Sequence, residues 1–450
     1  MMSLAQLAQL LGLSYRGPEI QITGVSIDSR SVQPGELFVA LKGERMDGHE
    51  YTAAAEAAGA VAVLVDRPVE SRVPVLQVGD TLTALWTMAA AWRDQCSAQR
   101  VAITGSCGKT STRGLLASIL GCCGPTLASE KSYNNHIGVP LTLLKIRPEH
   151  RFAILEVGTN HPGEIAALTD LVKPMVAMIT NAGPSHLEGL GSVAGVAREK
   201  ADIYSQLLPN QTAIINADDA YARYWQTVVD KTGAQSLRFG FSPEAEVRAI
   251  DVREHDGQTQ FDLVYGHDAQ SIQTIHLPLL GRHTVYNALA AAAAALALEV
   301  SPLDIARGLA KAQPEARRLV RQTGLSQAAI IDDSYNANPS SVAAAISVLA
   351  QCRGERVLVL GDMLELGDQS AHYHREVGQL AKAMGIDHLF VLGPASVETA
   401  QAFGSGARHF DDSSALIAAV KPLLHANMTV LVKGSNAMGM NRVALALMQE

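Results

Sequence analysis

The sequence predicts an α/β protein of three domains: a small α/β unit at the N-terminus, a central unit on a mostly parallel sheet, and a Rossmann-like unit at the C-terminus. Three observations predict it. The chain has 450 residues, more than one ordinary core holds. Hydrophobic residues make up 48% and charged residues 18%, a balance that suits packed cores and argues against disorder. Short apolar runs alternate with helical patterns in two separate stretches, as strands of buried parallel sheets do.

The elements follow in chain order. "MMSLAQLAQLLGL" places leucines at 4, 7, 10 and 11, a helical spacing. It lacks a basic start, so it reads as a short amphipathic helix and not as a signal peptide. "QITGVSIDSR", "GELFVAL" and "AVAVLV" are strand-like, and "EYTAAAEAAGA" is helical up to Gly59. These elements define a first unit, residues 1–80. After "PVLQVGD" and the helix "TLTALWTMAAAWRDQ" a new rhythm begins. "RVAITG" is a strand, "TSTRGLLASIL" a helix, and "FAILEVG", "VAMITN" and "TAIINAD" are short apolar strands. Between Gln235 and Pro278 alternating strands such as "QFDLVYG" suggest an antiparallel insertion. The apolar run "ALAAAAAALALEV" from Ala288 is shorter than the ~20 residues of a membrane span, so a buried helix is expected. The central unit covers residues 81–318. Near "KAQPEARRL" the third unit begins, residues 319–450. Its strands are "AAIIDDSY", "RVLVLGD", "HLFVLG" and "TVLVKGS", with "SSVAAAISVLAQC" and "HREVGQLAKAMG" as helices between them.

Bulk charge narrows the function. A net charge of −8 without a long basic run argues against nucleic acid and against membrane insertion. The five cysteines form no C-x-x-C pair, so neither a disulfide framework nor a zinc site is expected, and the cytoplasm is.

The chemistry concentrates in "VAITGSCGKTSTRGLL". Gly105, Ser106, Gly108, Lys109, Thr110 and Ser111 lie between a strand and a helix. The full phosphate-loop pattern wants a glycine at position 103, where Ile103 stands. The context is nonetheless right. Backbone N–H groups at a helix start cradle phosphate, Lys109 is placed to neutralise the β and γ phosphates, and Thr110 to reach Mg²⁺. The central unit is therefore read as a P-loop-type ATPase domain using ATP and Mg²⁺. The plain alternative is a tight turn with an incidental lysine. Glu156 ends "FAILEVG" and His186 follows "VAMIT", so both face the same crevice at the strands' carboxyl ends. Each has a structural alternative as a helix cap or loop bond.

Taken together, the short loop, "LEVGTNHPGEI", "TNAGPSHLEGLGS", "REKADI", "GRHTVYNALAAAAA" and "DDSYNANP" resemble the Mur ligases, from about Ile22 to the C-terminus. That family uses the shortened T-G-x-x-G-K-T loop, so nothing is missing. The resemblance implies an ATP-dependent amide ligase working through an acyl phosphate, in peptidoglycan precursor synthesis. Its implied substrates are UDP-N-acetylmuramoyl-tripeptide and D-alanyl-D-alanine, and a monomer is the default.

Residue by residue, the resemblance implies catalytic roles for Lys109, Glu156, His186 and Lys200. Thr110, Glu156 and His186 would ligate metal, with Lys200 as a carbamate. Asn287, Asp333, Asn336 and Asn338 would lie around the nucleotide, with His283 shaping its pocket and with Asp333 and Tyr335 at the interdomain face. Arg318 would reach the phosphates from the hinge, although "PEARRL" departs from the family's hinge and leaves Arg317 as a rival. For "DDSYNANP" a helix cap before Pro339 suits the composition equally well. Ser29, Arg30, Asp47, Gly48 and His49 would hold the UDP end, and Asn134 and Asn135 the sugar-peptide. Asp362, Met363, Glu365 and Leu366 would shape the amine site. Lys433 is a further candidate there, but Asn436 stands where many members have arginine. Two alternatives remain: a related ligase adding a single amino acid, of the folylpolyglutamate-synthase kind included, and an ATP-switched binding protein.

Overall fold

The computed structural model describes residues 1–43, 46–130, 133–255, 258–266 and 271–449. Three sheets carry it. The first has four parallel strands in the order Val25–Ser26, Leu37–Val39, Ala62–Val65, Val75–Gln77. The expected strand "QITGVSIDSR" is thus only two residues long. Asp28 takes Arg30 through both its backbone N–H and its guanidinium, which turns the chain away from the ladder.

The second sheet has nine strands. Gln99–Thr104 lies inside it. Phe152–Glu156 and Thr126–Ala128 extend to one side, and Val176–Ile179, Thr212–Asn216 and Gln235–Gly240 to the other, all parallel. Strand order reverses about Gln99–Thr104, so the loop that follows it opens at a topological switch point, where α/β proteins bind ligands. The expected antiparallel insertion needs correcting. Gln235–Gly240 is parallel to both neighbours, and only Val247–His255, Gln258–Tyr265 and Ser271–Leu277 pair antiparallel, as an extension of the same sheet. Alternation in sequence reported a half-exposed sheet face, which this sheet end shares with a free-standing hairpin.

The third sheet runs Val320–Thr323, Ala329–Asp333, Met428–Lys433, Glu355–Gly361, His388–Leu392, Ala407–Phe410, with only the first pair antiparallel.

Burial explains the sequence texture. The helix Arg282–Ala297 buries every residue from Ala288 to Ala295 against one face of the central sheet and the helix Lys109–Gly121. Alanine there lets two helices and a sheet approach closely. The opposite face shares one apolar core with the first sheet and with the helices Leu4–Leu10 and Thr81–Gln95. Leu4–Leu10 starts with a capping box in which Ser3 and Gln6 exchange bonds. No helix among the described residues is long and apolar enough to cross a membrane, and all five cysteines are free.

Candidate active site between the central and third sheets

A cleft of about 1490 Å³ opens where the central sheet meets the third unit. Its floor is the loop at 105–108. Gly105 (φ 152°) and Gly108 (φ 83°) hold conformations that favour glycine. A Cβ on Gly105 would strike Thr180 Oγ1, and one on Gly108 would strike Asn287 Oδ1. The loop is braced by the segment after Val176–Ile179: Ser106 N–H donates to Asn181 O and Cys107 N–H to Asn181 Oδ1, both at 3.0 Å. Ser106 Oγ is engaged by Gly183 N–H at 2.9 Å and Ser185 Oγ at 2.8 Å, so its hydroxyl is structural.

Lys109 folds back, its Nζ donating to Gly105 O at 2.5 Å. Burial lowers its ammonium's pKa, and Glu156 opposes that shift. Glu156 ends its strand in register with Ile103, just before the loop. Its Oε2 accepts from Thr110 Oγ1 at 3.2 Å. Its Oε1 sits 3.2 Å from an Arg113 amino group but has no hydrogen-bond partner among the described residues. Burial raises this carboxyl's pKa, against Arg113 and Lys109. A buried carboxylate beside a threonine hydroxyl is a donor set that a hard divalent cation accepts. Among the described residues no cluster of three His, Cys, Asp or Glu forms a stand-alone cation site, so a cation here would take its remaining oxygens from a ligand and from water.

Two left-handed residues meet across the cleft. His186 (φ 52°) and Glu365 (φ 63°) bring Nδ1 and Oε2 to 2.6 Å, and the contact holds the Glu365 carboxyl below its usual range. Non-glycine residues persist in this conformation where their surroundings over-determine them, often at functional sites. Lys200, on the helix Val193–Ala201, is 1% exposed; burial, with Lys109 nearby, lowers its pKa to about 7.

The third unit closes the cleft with the helix Pro339–Ala350. Asn338 caps that helix through Ser341 N–H at 2.9 Å and reaches over to the loop. Its Oδ1 accepts from Cys107 Sγ at 3.2 Å, and its Nδ2 donates to Ser106 O at 3.4 Å. The cap and the contact across the cleft coexist. Lys433 Nζ donates to Asp333 Oδ2 at 2.6 Å and Asn336 O at 2.8 Å. Arg317 (φ 62°) turns into the third unit and donates to Ser334 O at 2.6 Å. Arg318 points the other way, donating to Thr110 Oγ1 at 2.9 Å with its guanidinium 4.2 Å over the Tyr335 ring. Between the two rivals, it is Arg318 that faces the loop.

Cleft-lining residues thus include Lys109, Thr110, Ser111, Glu156, His186, Asn287 and Arg318, with Asn134, Asp333, Asn336, Asn338 and Glu365. Other candidates sit elsewhere. Asn135 caps the helix Gly138–Leu144 through the N–H groups of Ile137 and Gly138. Met363 and Leu366 pack into the third unit's core, and Asp362 accepts from Ala395 N–H and Ser396 N–H. All three are buried, so from these positions they would shape the cleft wall from within the third unit. In the first unit, the His49 ring is buried between Asp47, 2.6 Å away, and Asp66, 3.1 Å away, so it braces a turn that Gly48 shares. Arg30 pairs with Asp28 at the surface. Ser29, Arg30, Asp47, Gly48 and His49 are not part of the cleft.

Sequence reading missed Arg113, Glu315 and Glu199. Arg113 had a signal: it stands four residues after Lys109, on the same helix face. Glu199 bonds Gly163 N–H at 2.7 Å and Ile165 N–H at 2.9 Å, fixing the loop after Phe152–Glu156. Glu315 reaches Arg113 from 202 positions away, which no local pattern reports.

Three family models match the chain: the Mur ligase family, catalytic domain, over residues 21–93; the Mur ligase middle domain over 103–295; and the Mur ligase, glutamate ligase domain over 317–436. UDP-N-acetylmuramoyl-tripeptide–D-alanyl-D-alanine ligase of Escherichia coli (strain K12) is 42% identical over 452 residues, covering 99% of this chain and 98% of that protein. A crystal structure of MurF from Acinetobacter baumannii superposes with a TM-score of 0.91 at 34% identity, covering 99% and 98% of the two chains. The MurF ligase of Thermotoga maritima in complex with ADP gives a TM-score of 0.82 at 25% identity, covering 94% and 96%.

Proposed function

We infer the reaction from one premise: the chain belongs to the Mur ligase family. It is an ATP-dependent ligase of peptidoglycan synthesis that joins D-alanyl-D-alanine to UDP-N-acetylmuramoyl-tripeptide through a C–N bond. The observation that carries this is the extent of the likeness, 42% identity over 99% of the chain to a ligase named for those two substrates. Every unit of this chain has its counterpart there.

A carboxylate is a poor electrophile, so it is activated first. Its oxygen attacks the γ-phosphorus of ATP, the bond to the bridging oxygen breaks, and ADP leaves with that electron pair. The amine of D-alanyl-D-alanine then attacks the acyl carbon. The carbon–oxygen bond to phosphate breaks, inorganic phosphate leaves, and the nitrogen gives up a proton. Two anions must meet in the first step, so cations must screen them. In this reading Lys109 turns from the Gly105 carbonyl to the phosphates, and Arg318 meets them from the hinge. Asn287 and Asn338 press on the loop from opposite walls. Mg²⁺ would be held by Thr110 and Glu156, with His186 at a second metal, and when bound it would add positive charge at the phosphates.

Burial that lowers the Lys200 pKa to about 7 makes its neutral amine accessible, which suits carbamylation. Its lone pair adds to the carbon of CO₂ and a proton is released, so the buried amine becomes an anion beside Lys109. Ser29, Arg30 and Asp47 are proposed to hold the UDP end, with His49 bracing the turn. Asn134 is proposed to face the peptide. Both substrates that carry nucleotides belong to the cytoplasm, which is the proposed location.

A coupled ADP-release assay tests the reading. Release is expected only with both UDP-tripeptide and D-alanyl-D-alanine present. Turnover with a free diamino acid or glutamate in place of the dipeptide would overturn the substrate assignment.

A further inference from the structure

We propose that Glu315 and Arg113 are positioning residues that set the reach of Arg318 to the phosphates. The proposal rests on the ATP-ligase reading above and deepens it. Residues 315–318 form a turn in which Arg318 N–H donates to Glu315 O at 3.1 Å. The two ends of this turn grip the same helix. At the first end, Glu315 Oε1 accepts from Arg113 Nη2 at 2.7 Å. At the last, Arg318 Nη2 lies on Thr110 Oγ1 at 2.9 Å. In between, Arg317 is tied to Ser334 of the third unit.

Arg113 is a fixed post. Its side chain is 8% exposed, its Nη1 donates to Ser129 O at 2.5 Å, and Glu156 flanks it. A charge-assisted guanidinium–carboxylate contact in such surroundings is directional as well as strong. The helix also leaves room for it. A Cβ on Gly114 would stand 2.5 Å from Glu315 Oε1, so the carboxylate lies where any other residue's side chain would be. The span from Arg113 to Thr110 is set by the helix, and the span from Glu315 to Arg318 by the turn. Arg318 is therefore aimed at the phosphate loop before a nucleotide arrives, and the hinge cannot slide along the helix. Loss of the first anchor frees Arg318 to swing.

The test uses the full-length protein, with nucleotide affinity measured calorimetrically with ADP, steady-state kinetics in ATP, and thermal melting. Glu315→Gln is expected to lower kcat/KM for ATP by about 10- to 100-fold, as displacement of a catalytic contact by ~1 Å does. Glu315→Asp should recover part of the loss. Gly114→Ala keeps every charge and displaces only the carboxylate. It should lower kcat/KM in the same direction while melting is unchanged or higher, because alanine is the better helix former. With Arg318→Ala already present, Glu315→Gln should weaken ADP binding no further, the sign of two residues acting through one contact. Wild-type kinetics in both Glu315→Gln and Gly114→Ala would overturn the proposal, as would losses from Glu315→Gln and Arg318→Ala that multiply. Should Glu315→Gln fail to fold, Gly114→Ala decides alone. A wild-type protein that neither binds ADP nor forms the amide would instead overturn the ligase reading.

Discussion

Glu156 shows how much of the site depends on one atom. Its Oε1 is buried without a hydrogen bond, and burial raises the carboxyl's pKa while Arg113 and Lys109 oppose that rise. Glu156→Gln keeps the shape and removes the charge. It should lower kcat by about 10²–10³-fold, the scale of losing one electrostatic contact to a transition state. It should also raise the Mg²⁺ needed for half-maximal ADP release, with the melting temperature little changed. Lys200 gives a second prediction, with the sign set by its lowered pKa of about 7. Below that pH the amine is protonated and cannot add to CO₂; above it the lone pair is free. Uptake of isotopically labelled bicarbonate, followed by carbon NMR, should therefore rise as pH passes through about 7. A Lys200→Arg variant should show no uptake at any pH.

Elements matter through their ends. Asn338 does two jobs at the start of Pro339–Ala350: it caps that helix and bonds Ser106 O. These separate by substitution. Asn338→Asp retains a capping oxygen but has no amide to donate, so melting should hold while KM for ATP rises. Asn338→Ala loses the cap as well and should also destabilise the chain by about 1 kcal/mol. The helix Arg282–Ala297 presents the opposite sensitivity, in its middle. Ala292 is 1% exposed between sheet and helix. Ala292→Leu should cost about 1–3 kcal/mol by overpacking, seen in denaturant titration, with the loop chemistry untouched in whatever protein remains folded.

Across the whole molecule, the contacts that hold the third unit on the central unit include Asn338 to Ser106 O and Cys107 Sγ, Glu365 to His186, and Glu365 O to Glu188 N–H, while Arg318 at the hinge lies on Thr110. Residues from both units then surround one cleft, and the acyl phosphate would form only where closure excludes water. Glu365→Ala should accordingly lower kcat for amide formation more than it changes KM for ATP, because the nucleotide's own contacts survive. A larger radius of gyration in X-ray solution scattering should accompany it.

The local signals were legible because they are short in sequence and strict in physics. A strand, two glycines at positive φ, a lysine and a threonine can be read from sixteen letters, and so can an alanine helix or an N-cap before Pro339. Strand ends pointed to Glu156 and His186, and family likeness extended that reading to Lys200 and Arg318. What it did not supply was direction. The sequence by itself determined which backbones fold alike and which residue types are available for phosphate chemistry. Only the tertiary structure decided that Arg318 and not Arg317 meets the loop, that Met363 and Leu366 turn into the core, and that Glu315 grips Arg113 across 202 positions. Backbone propensity and periodicity act within a few residues. The aim of a side chain depends on φ values and packing partners that distant segments impose.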